Sequence, residues 1–198
     1  HIHINDADPA VFAFWASVTQ HSKELLDLLA STPITIEEWF KWRSVLREDC
    51  QASLVEKGFA TLFMNRTNRS GILKAGVIGG KNQEGPYKLD ARFKKDVIAT
   101  RIVEIAKRSK DITVYSEDSL ALLKRCKDFL PKESLIYLDP PYYVKGKGLY
   151  RNYYEHDDHV AIAKTIKAKS FKRHWVVSYD NADEIRAMYQ LVSTKTYG

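Results

Sequence analysis

Four consecutive residues, Asp139-Pro140-Pro141-Tyr142, carry the groups needed to hold a planar amino group. They follow the apolar segment Leu135–Leu138, whose pattern predicts a strand. The two prolines fix the backbone and remove two N–H donors, which leaves a carboxylate, carbonyl acceptors and an aromatic face. Asp139 and a main-chain carbonyl can accept the two hydrogens of an amino group while Tyr142 stacks on the attached ring. The alternative interpretation is a rigid turn after a strand.

Alternating strands and helices must position this tetrapeptide. Apolar or alternating segments predict strands over residues 2–4, 112–115, 135–138 and 175–178, and a last strand near 191. Helical spacing predicts helices from residue 9 onward and over residues 22–30, 36–47, 52–63, 93–109, 119–129, 157–167 and 182–189. This rhythm is typical of an α/β fold with a mostly parallel sheet. Ligands bind at the carboxyl ends of such strands, where the tetrapeptide lies.

The segment from 65 to 92 interrupts that rhythm. Glycine or proline stands at positions 71, 76, 79, 80, 85 and 86, which predicts loop and hairpin structure. We therefore interpret residues 21–92 as a mainly helical insert that carries a hairpin. Residues 1–20 and 93–198 then form the α/β domain.

The composition is typical of a folded globular protein, because 44% of the 198 residues are hydrophobic and 28% are charged. No apolar run approaches the roughly 18 residues of a membrane span, and no signal peptide is visible. The two cysteines, Cys50 and Cys126, exclude a disulfide scaffold or a four-thiolate zinc site and indicate reduced thiols in a cytoplasmic protein. The net charge of +6 favours an anionic partner such as nucleic acid.

The tetrapeptide resembles the catalytic motif of amino-group methyltransferases that use S-adenosylmethionine. Over nearly its whole length, the chain resembles the Dam-like adenine-specific DNA methyltransferases, in which a target-recognition insert precedes that motif. Residues 65–73 are similar to the recognition hairpin of that family, residues 137–159 to its segment after the tetrapeptide, and residues 176–181 to its next strand and loop. The resemblance implies a Rossmann-like methyltransferase sheet, incomplete at the amino terminus, with a helical target-recognition subdomain bearing the hairpin.

The implied reaction is methyl transfer from S-adenosylmethionine to the exocyclic amino group of adenine in a specific double-stranded DNA sequence. Because the lone pair of this nitrogen is delocalised into the ring, two acceptors on its hydrogens raise its electron density and aim it at the methyl group. The base must be flipped out of the duplex to reach such a site. The catalytic residues implied are Asp139, Pro140, Pro141 and Tyr142, with no metal and no membrane partner. A cytoplasmic enzyme of bacterial or phage type, as in restriction-modification, is also implied.

The same resemblance assigns residues to the methyl donor. Asp6 follows the first strand and is expected to bind the ribose hydroxyl groups, while Asp118 and Ser119 are expected beside the adenine end. Asp139 is expected to face the donor as well as the target base, and Tyr150 to cover the donor with its ring. The alternatives are a turn carboxylate for Asp6 and a plain helix cap for Asp118, and the two roles of Asp118 are compatible.

The expected DNA contacts come from the hairpin segment and the residue that follows it. Basic and amide side chains can read base edges or hold phosphates, and here they are Asn65, Arg66, Arg69, Ser70, Lys74 and Arg92. The alternative for each charge is a solvated surface. Relatives that recognise GATC carry an aromatic wedge where Arg69 stands and an arginine where Lys74 stands. These two differences count against GATC specificity and leave the methyl-transfer class unaffected.

Two expectations concern what the sequence lacks. The glycine-rich loop that cradles the methionine part of the donor in complete family members is missing, so the isolated chain is expected to bind S-adenosylmethionine poorly. The spacing of histidine and acidic residues over 155–159 is similar to that of a metal site but is better explained as the acidic start of a helix.

Two alternative functions remain open. One is a truncated, inactive DNA-binding fragment, and the other is an amino-group methyltransferase that acts on RNA or cytosine.

Overall fold

The computed structural model of the chain describes residues 1–47, 50–144 and 154–197. It divides into two compact units, His1–Ser116 and Glu117–Gly198. No helix among the described residues has the length and apolar character that crossing a membrane requires.

The first unit combines two parallel strands with a group of helices. Strand β1 pairs with β2 in parallel, so that Asn5 at the end of β1 lies opposite Tyr115. The bounds are β1 Ile2–Asn5, α1 Pro9–Gln20, α2 Ser22–Ser31, α3 Ile36–Val45, α4 Leu54–Thr67, α5 Lys95–Ala106 and β2 Ile112–Tyr115. Local sequence explains the helix starts: Asp8 caps α1, and Ser53 forms a capping box with Glu56 at α4.

Helix α4 is the centre of the core of this unit. Its side chains Phe59 and Phe63 are fully buried among Trp39, Trp42 and other apolar residues of the neighbouring helices. Gly58 lets α1 approach closely, because a Cβ atom there would lie 2.4 Å from Ser17 Oγ and 2.6 Å from a backbone oxygen of α1. The helical region is therefore packed tightly around α4.

The segment after α4 differs from the predicted hairpin in extent. The helix continues to Thr67, four residues beyond the predicted end at 63, because its last turns are buried on most sides. Beyond it, Asn68 and Val77 form a single antiparallel bridge, flanked by hydrogen bonds from Arg69 N–H to Gly76 O and from Ile78 N–H to Thr67 O. A 3₁₀ turn over Arg69–Gly71 and further turns occupy most of this segment, so paired strands are confined to that bridge.

The second unit packs helices against another parallel pair of strands. Its elements are α6 Ser119–Arg125, β3 Leu135–Leu138, α7 His156–Lys167, β4 His174–Val177 and α8 Asp183–Met188. Leu138 lies opposite Val177, so β3 and β4 end at the same edge. Ile136 and Trp175 pack on a core that includes Ile162 of α7.

The helix-and-strand alternation and the parallel pairing confirm the predicted α/β class. The described strands form two separate two-stranded sheets, β1 with β2 and β3 with β4, and not a single sheet. The predicted strand near 191 does not form in the described residues; Leu191 instead has a positive φ of 65° and lies fully exposed. Helix α6 ends at Arg125 and a 3₁₀ turn continues over Cys126–Asp128, which shortens the predicted helix over 119–129.

Candidate active site and nucleic-acid interface

The tetrapeptide Asp139-Pro140-Pro141-Tyr142 leaves the carboxyl end of β3 and is contacted by the residues that follow β4. The Ser178 N–H donates to Leu138 O at 3.0 Å, which continues the strand pairing by one residue. The Ser178 hydroxyl group donates to Asp139 Oδ1 at 2.7 Å and also shares a 2.9 Å hydrogen bond with the Tyr137 hydroxyl group. The orientation of the Asp139 carboxylate is thus set from the neighbouring strand.

Asp180 holds the backbone on the other side of the tetrapeptide. Its Oδ1 accepts the N–H of Tyr143 at 2.8 Å, and its Oδ2 accepts the N–H of Val144 at 2.9 Å. Hydrogen bonds to an ionised acceptor are stronger than neutral ones, and two from one carboxylate fix direction as well as distance. Ser178 and Asp180 together therefore hold both ends of the tetrapeptide.

An aromatic cluster packs around His159 and includes Tyr143, the residue that follows the tetrapeptide. His159 of α7 is 1% exposed, and the rings of Tyr143, Tyr154 and Tyr179 lie 5.2, 5.3 and 5.4 Å from its centroid. His159 Nδ1 shares a 2.9 Å hydrogen bond with the Tyr179 hydroxyl group. Burial lowers the pKa of His159, against the opposing effect of Asp158 and Asp180, and burial raises the pKa of Tyr179. Both side chains are therefore uncharged members of a packed cluster.

The tetrapeptide exposes a carboxylate and an aromatic ring. Asp139 is exposed, and the Tyr142 side chain keeps 36% of its surface accessible. A carboxylate has about four acceptor positions, and Ser178 uses one of those on Asp139. The arrangement can accept hydrogen bonds from an amino group and stack an aromatic ring.

The residues predicted to hold the methyl donor fall in both units. In the first, Asp6 follows β1, and the described residues donate to only one of its oxygens, from the Asp8 N–H at 2.8 Å. Burial, opposed by that hydrogen bond, raises the pKa of Asp6.

In the second unit, Asp118 caps α6 by accepting the Ala121 N–H at 2.9 Å, as its alternative interpretation predicted. Ser119 and Tyr154 share a hydrogen bond between their hydroxyl groups, which joins Ser119 to the aromatic cluster. Tyr150 lies outside the described residues. The donor roles of these residues stay predictions.

Three of the predicted DNA-contact residues lie close together in the first unit. Asn65 Nδ2 donates to Gly71 O at 3.0 Å, and a Cβ atom on Gly71 would lie 3.0 Å from Asn65 Nδ2 and 3.5 Å from Arg92 Nη2. Burial lowers the pKa of Arg66, and the positive charges of Arg92 and Arg101 lower it further. The Nε atom of Arg66 is buried without a hydrogen-bond partner among the described residues. This cluster of positive charge suits an anionic partner.

The other three predicted DNA-contact residues are all exposed. The Arg69 guanidinium lies against Gly76, since a Cβ atom there would be 2.9 Å from Arg69 Nη2. Ser70 adopts a φ of 56° in the turn, and Lys74 lies in the loop that follows.

Sequence reasoning missed several residues that organise these sites. Asn68 is fully buried, accepts the Trp39 Nε1–H at 2.7 Å and donates to two backbone oxygens after the turn. Ser178, Asp180 and His159 were not singled out as site residues. A signal was available for Ser178 and Asp180, because they follow β4 directly and neighbouring parallel strands end at the same edge of a sheet. His159 lies on the helix before β4.

Among the described residues, no group of three His, Cys, Asp or Glu side chains is arranged to hold a metal ion. The two histidines at the start of α7 have protein partners, because His156 Nδ1 shares a 2.9 Å hydrogen bond with Tyr143 and His159 with Tyr179.

An α/β unit with a carboxylate, two prolines and a tyrosine at the end of a parallel strand belongs to the class of amino-group methyltransferases that the sequence resembles. The chain is a member of the D12 class N6 adenine-specific DNA methyltransferase family, whose model matches residues 1–197. It is therefore an enzyme, and the predicted family is confirmed. No curated relative matches the chain.

Proposed function

We propose that this chain transfers a methyl group from S-adenosylmethionine to N6 of adenine in a specific double-stranded DNA sequence, with the target base flipped out. The proposal is carried by the hydrogen bonds at the end of β3. Ser178 donates to the Asp139 carboxylate, and Asp180 accepts from the backbone that follows the tetrapeptide. Family membership supports the same reaction. A fixed carboxylate beside an accessible tyrosine is what alignment of an adenine amino group requires.

S-adenosylmethionine supplies an electrophilic methyl group on a positively charged sulfur. Asp139 and a main-chain carbonyl of the tetrapeptide accept the two N6 hydrogens, and this concentrates the lone pair on the nitrogen. Tyr142 stacks on the flipped adenine, a contact worth about 1–3 kcal/mol per base. Because Ser178 and Asp180 hold the acceptors in place beforehand, little reorganisation is needed when the bond forms. Asp6, Asp118 and Ser119 are the proposed contacts of the methyl donor.

We assign target recognition to the insert over residues 21–92. Its DNA contacts are proposed to be Asn65, Arg66, Arg69, Ser70, Lys74 and Arg92. Arg66 and Arg92 lie near each other and concentrate positive charge, which suits phosphates. Asn65 and Ser70 have the donors and acceptors needed to read base edges.

The experiment is transfer of labelled methyl groups from S-adenosylmethionine to unmethylated duplex DNA, followed by nucleoside analysis. Label in N6-methyladenine is expected, and Asp139→Ala should abolish it while duplex binding stays within a few fold. Label in cytosine, or in RNA alone, would establish the rival methyltransferase. Duplex binding with no transfer by the wild-type chain would favour the DNA-binding fragment. Full activity of Asp139→Ala would remove the catalytic assignment.

A further inference from the structure

A cavity of about 550 Å³ lies in the first unit between α3 and the glycine-rich segment before α5. Its lining combines three cationic side chains, Arg43, Arg69 and Lys81, with exposed glycine backbone and the ring of Tyr87. Its size falls within the range of about 300–1,000 Å³ for small-ligand sites. Neither Arg43, Lys81 nor Tyr87 has a role in the site described above.

The charges in this cavity suit an anion. The described lining includes no Asp or Glu, and none of the three cations forms an ion pair with a described carboxylate. The Arg43 guanidinium lies 4.9 Å from the centroid of the buried Trp39 ring, and Lys81 Nζ lies 5.8 Å from that of Phe40. Both cations are thus placed by aromatic rings, and neither side chain donates a hydrogen bond to another described residue.

The wall made by the glycine-rich segment is held by its own hydrogen bonds. Gln83 Nε2 donates to Ile78 O at 2.7 Å and to Gly80 O at 2.6 Å, and Gln83 Oε1 accepts the Leu89 N–H at 2.8 Å. Position 79 requires glycine for two reasons: its φ is 82°, and a Cβ atom there would lie 2.6 Å from Tyr87 O. A wall formed in advance loses little conformational entropy when a ligand binds.

The aromatic side chain at the cavity adds a second kind of contact. Tyr87 is 71% exposed although it is large and apolar in part, so its ring face is accessible for stacking. A phosphate group suits the three cations, and a sugar or base suits the tyrosine ring.

We propose that this cavity binds one phosphodiester-linked nucleotide of the DNA, with its phosphate between Arg43, Arg69 and Lys81 and its sugar or base against Tyr87. The inference rests on the proposed function, since DNA is the ligand. It adds a backbone contact from α3 and from the loop over 79–87 to the contacts predicted near the end of α4.

The test measures binding of the full chain to a fluorescein-labelled duplex of mixed sequence by anisotropy, over a range of salt concentrations. Arg43→Gln and Lys81→Gln should each weaken binding about three- to tenfold and lower the slope of log K against log salt by a part of the roughly 0.9 that one lost phosphate contact would remove. Tyr87→Ala should weaken binding without changing the slope. Arg108→Gln and Lys110→Gln are matched controls, because both side chains are exposed and neither lines the cavity.

A second variant tests the geometry without removing a charge. In Gly76→Ala, the new Cβ atom would lie 2.9 Å from the flexible end of Arg69 and displace its guanidinium from the cavity. Weakened duplex binding with an unchanged melting temperature is expected.

Three outcomes separate this inference from the proposed function. Wild-type duplex binding and methyl transfer that persist unchanged in the Arg43, Lys81 and Gly76 variants would overturn the cavity assignment alone. Tight binding of free deoxyadenosine monophosphate in the intact cavity that leaves duplex binding unchanged would identify a free nucleotide as the ligand and also overturn it. Absence of both duplex binding and methyl transfer in the wild-type chain would remove the proposed function together with the inference.

Discussion

The Ser178 hydroxyl group donates a hydrogen bond to the Asp139 carboxylate, with 2.7 Å between the two oxygens. These residues directly follow neighbouring parallel strands, and the pairing of Leu138 with Val177 brings them together. The carboxylate at the start of the catalytic tetrapeptide is thereby oriented by a side chain 39 positions away in the sequence.

Ser178→Ala should lower the rate of methyl transfer about tenfold, because a hydrogen bond to a charged group contributes about 1.5–3 kcal/mol. Duplex binding should stay unchanged. The measurement is kcat alongside the dissociation constant for DNA. Ser170→Ala, an exposed serine of the same unit, is the matched control and should leave both values alone. Equal kcat values for Ser178→Ala and Ser170→Ala would show that Asp139 does not depend on this contact.

Asp180→Ala should release the backbone that follows the tetrapeptide. The N–H groups of Tyr143 and Val144 lose their acceptor, so their hydrogen exchange should accelerate and methyl transfer should fall at least as far as in Ser178→Ala. Asp180→Asn keeps one acceptor oxygen and should show an intermediate loss. Asp183→Asn, which changes the exposed first residue of α8, is the control and should leave the exchange of both N–H groups slow. Slow hydrogen exchange of the Tyr143 and Val144 N–H groups in Asp180→Ala would contradict the proposal that Asp180 fixes this backbone.

His159 should make folding stability depend on pH. Burial lowers its pKa below the ordinary value of 6.5, so the unfolded chain binds a proton at higher pH than the folded chain. The stability contribution of the neutral side chain is therefore complete above about pH 6.5 and is lost as the pH falls towards the lowered pKa. The measurement is the urea midpoint at about pH 8 and about pH 5.5 for wild type and His159→Phe.

His159→Phe keeps a ring in the aromatic cluster and loses the hydrogen bond to Tyr179. We expect the variant to be less stable at high pH but to lose less stability on acidification than the wild type does. Parallel losses in the two proteins would assign the pH dependence to other groups.

Gly58→Ala should destabilise the first unit, because the added methyl group would overlap Ser17 Oγ and the backbone oxygen of Ala13. Overpacking of this kind costs typically about 1–3 kcal/mol, and here one of the opposing atoms belongs to a helix backbone. Gly80→Ala is a useful comparison, since a Cβ atom there meets nothing within 4 Å and only the φ of 77° opposes it, at a cost of about 1–2 kcal/mol. Urea unfolding of both variants should rank Gly58→Ala as the less stable.

Contiguous features were predictable from the sequence. The tetrapeptide is chemically informative because its four residues are adjacent, and the apolar segment before it marks a strand without knowledge of any partner. The start of the first helix was also predictable because its cap is local, since the Asp8 side chain accepts a hydrogen bond from the Ala10 N–H two residues away. The parallel pairing followed from the alternation of strands and helices.

Features that depend on burial or on distant partners were less accessible. Helix α4 runs on to Thr67 because the packing around it, and not its amphipathic pattern, extends it. That extension moves Asn65 and Arg66 from a predicted hairpin into a helix.

The sequence by itself determined the class of this protein, because the tetrapeptide and its flanking segments identify an adenine methyltransferase family. Only the tertiary structure decided which residues hold that tetrapeptide. Ser178 and Asp180 lie 39 and 37 residues from their partners, so no local pattern links them. The cations around the cavity of the first unit are separated in the same way, with Arg43 on α3 and Lys81 on a later loop. In both places the side chains lie together because the packing of elements distant in sequence brings together residues that the chain keeps apart.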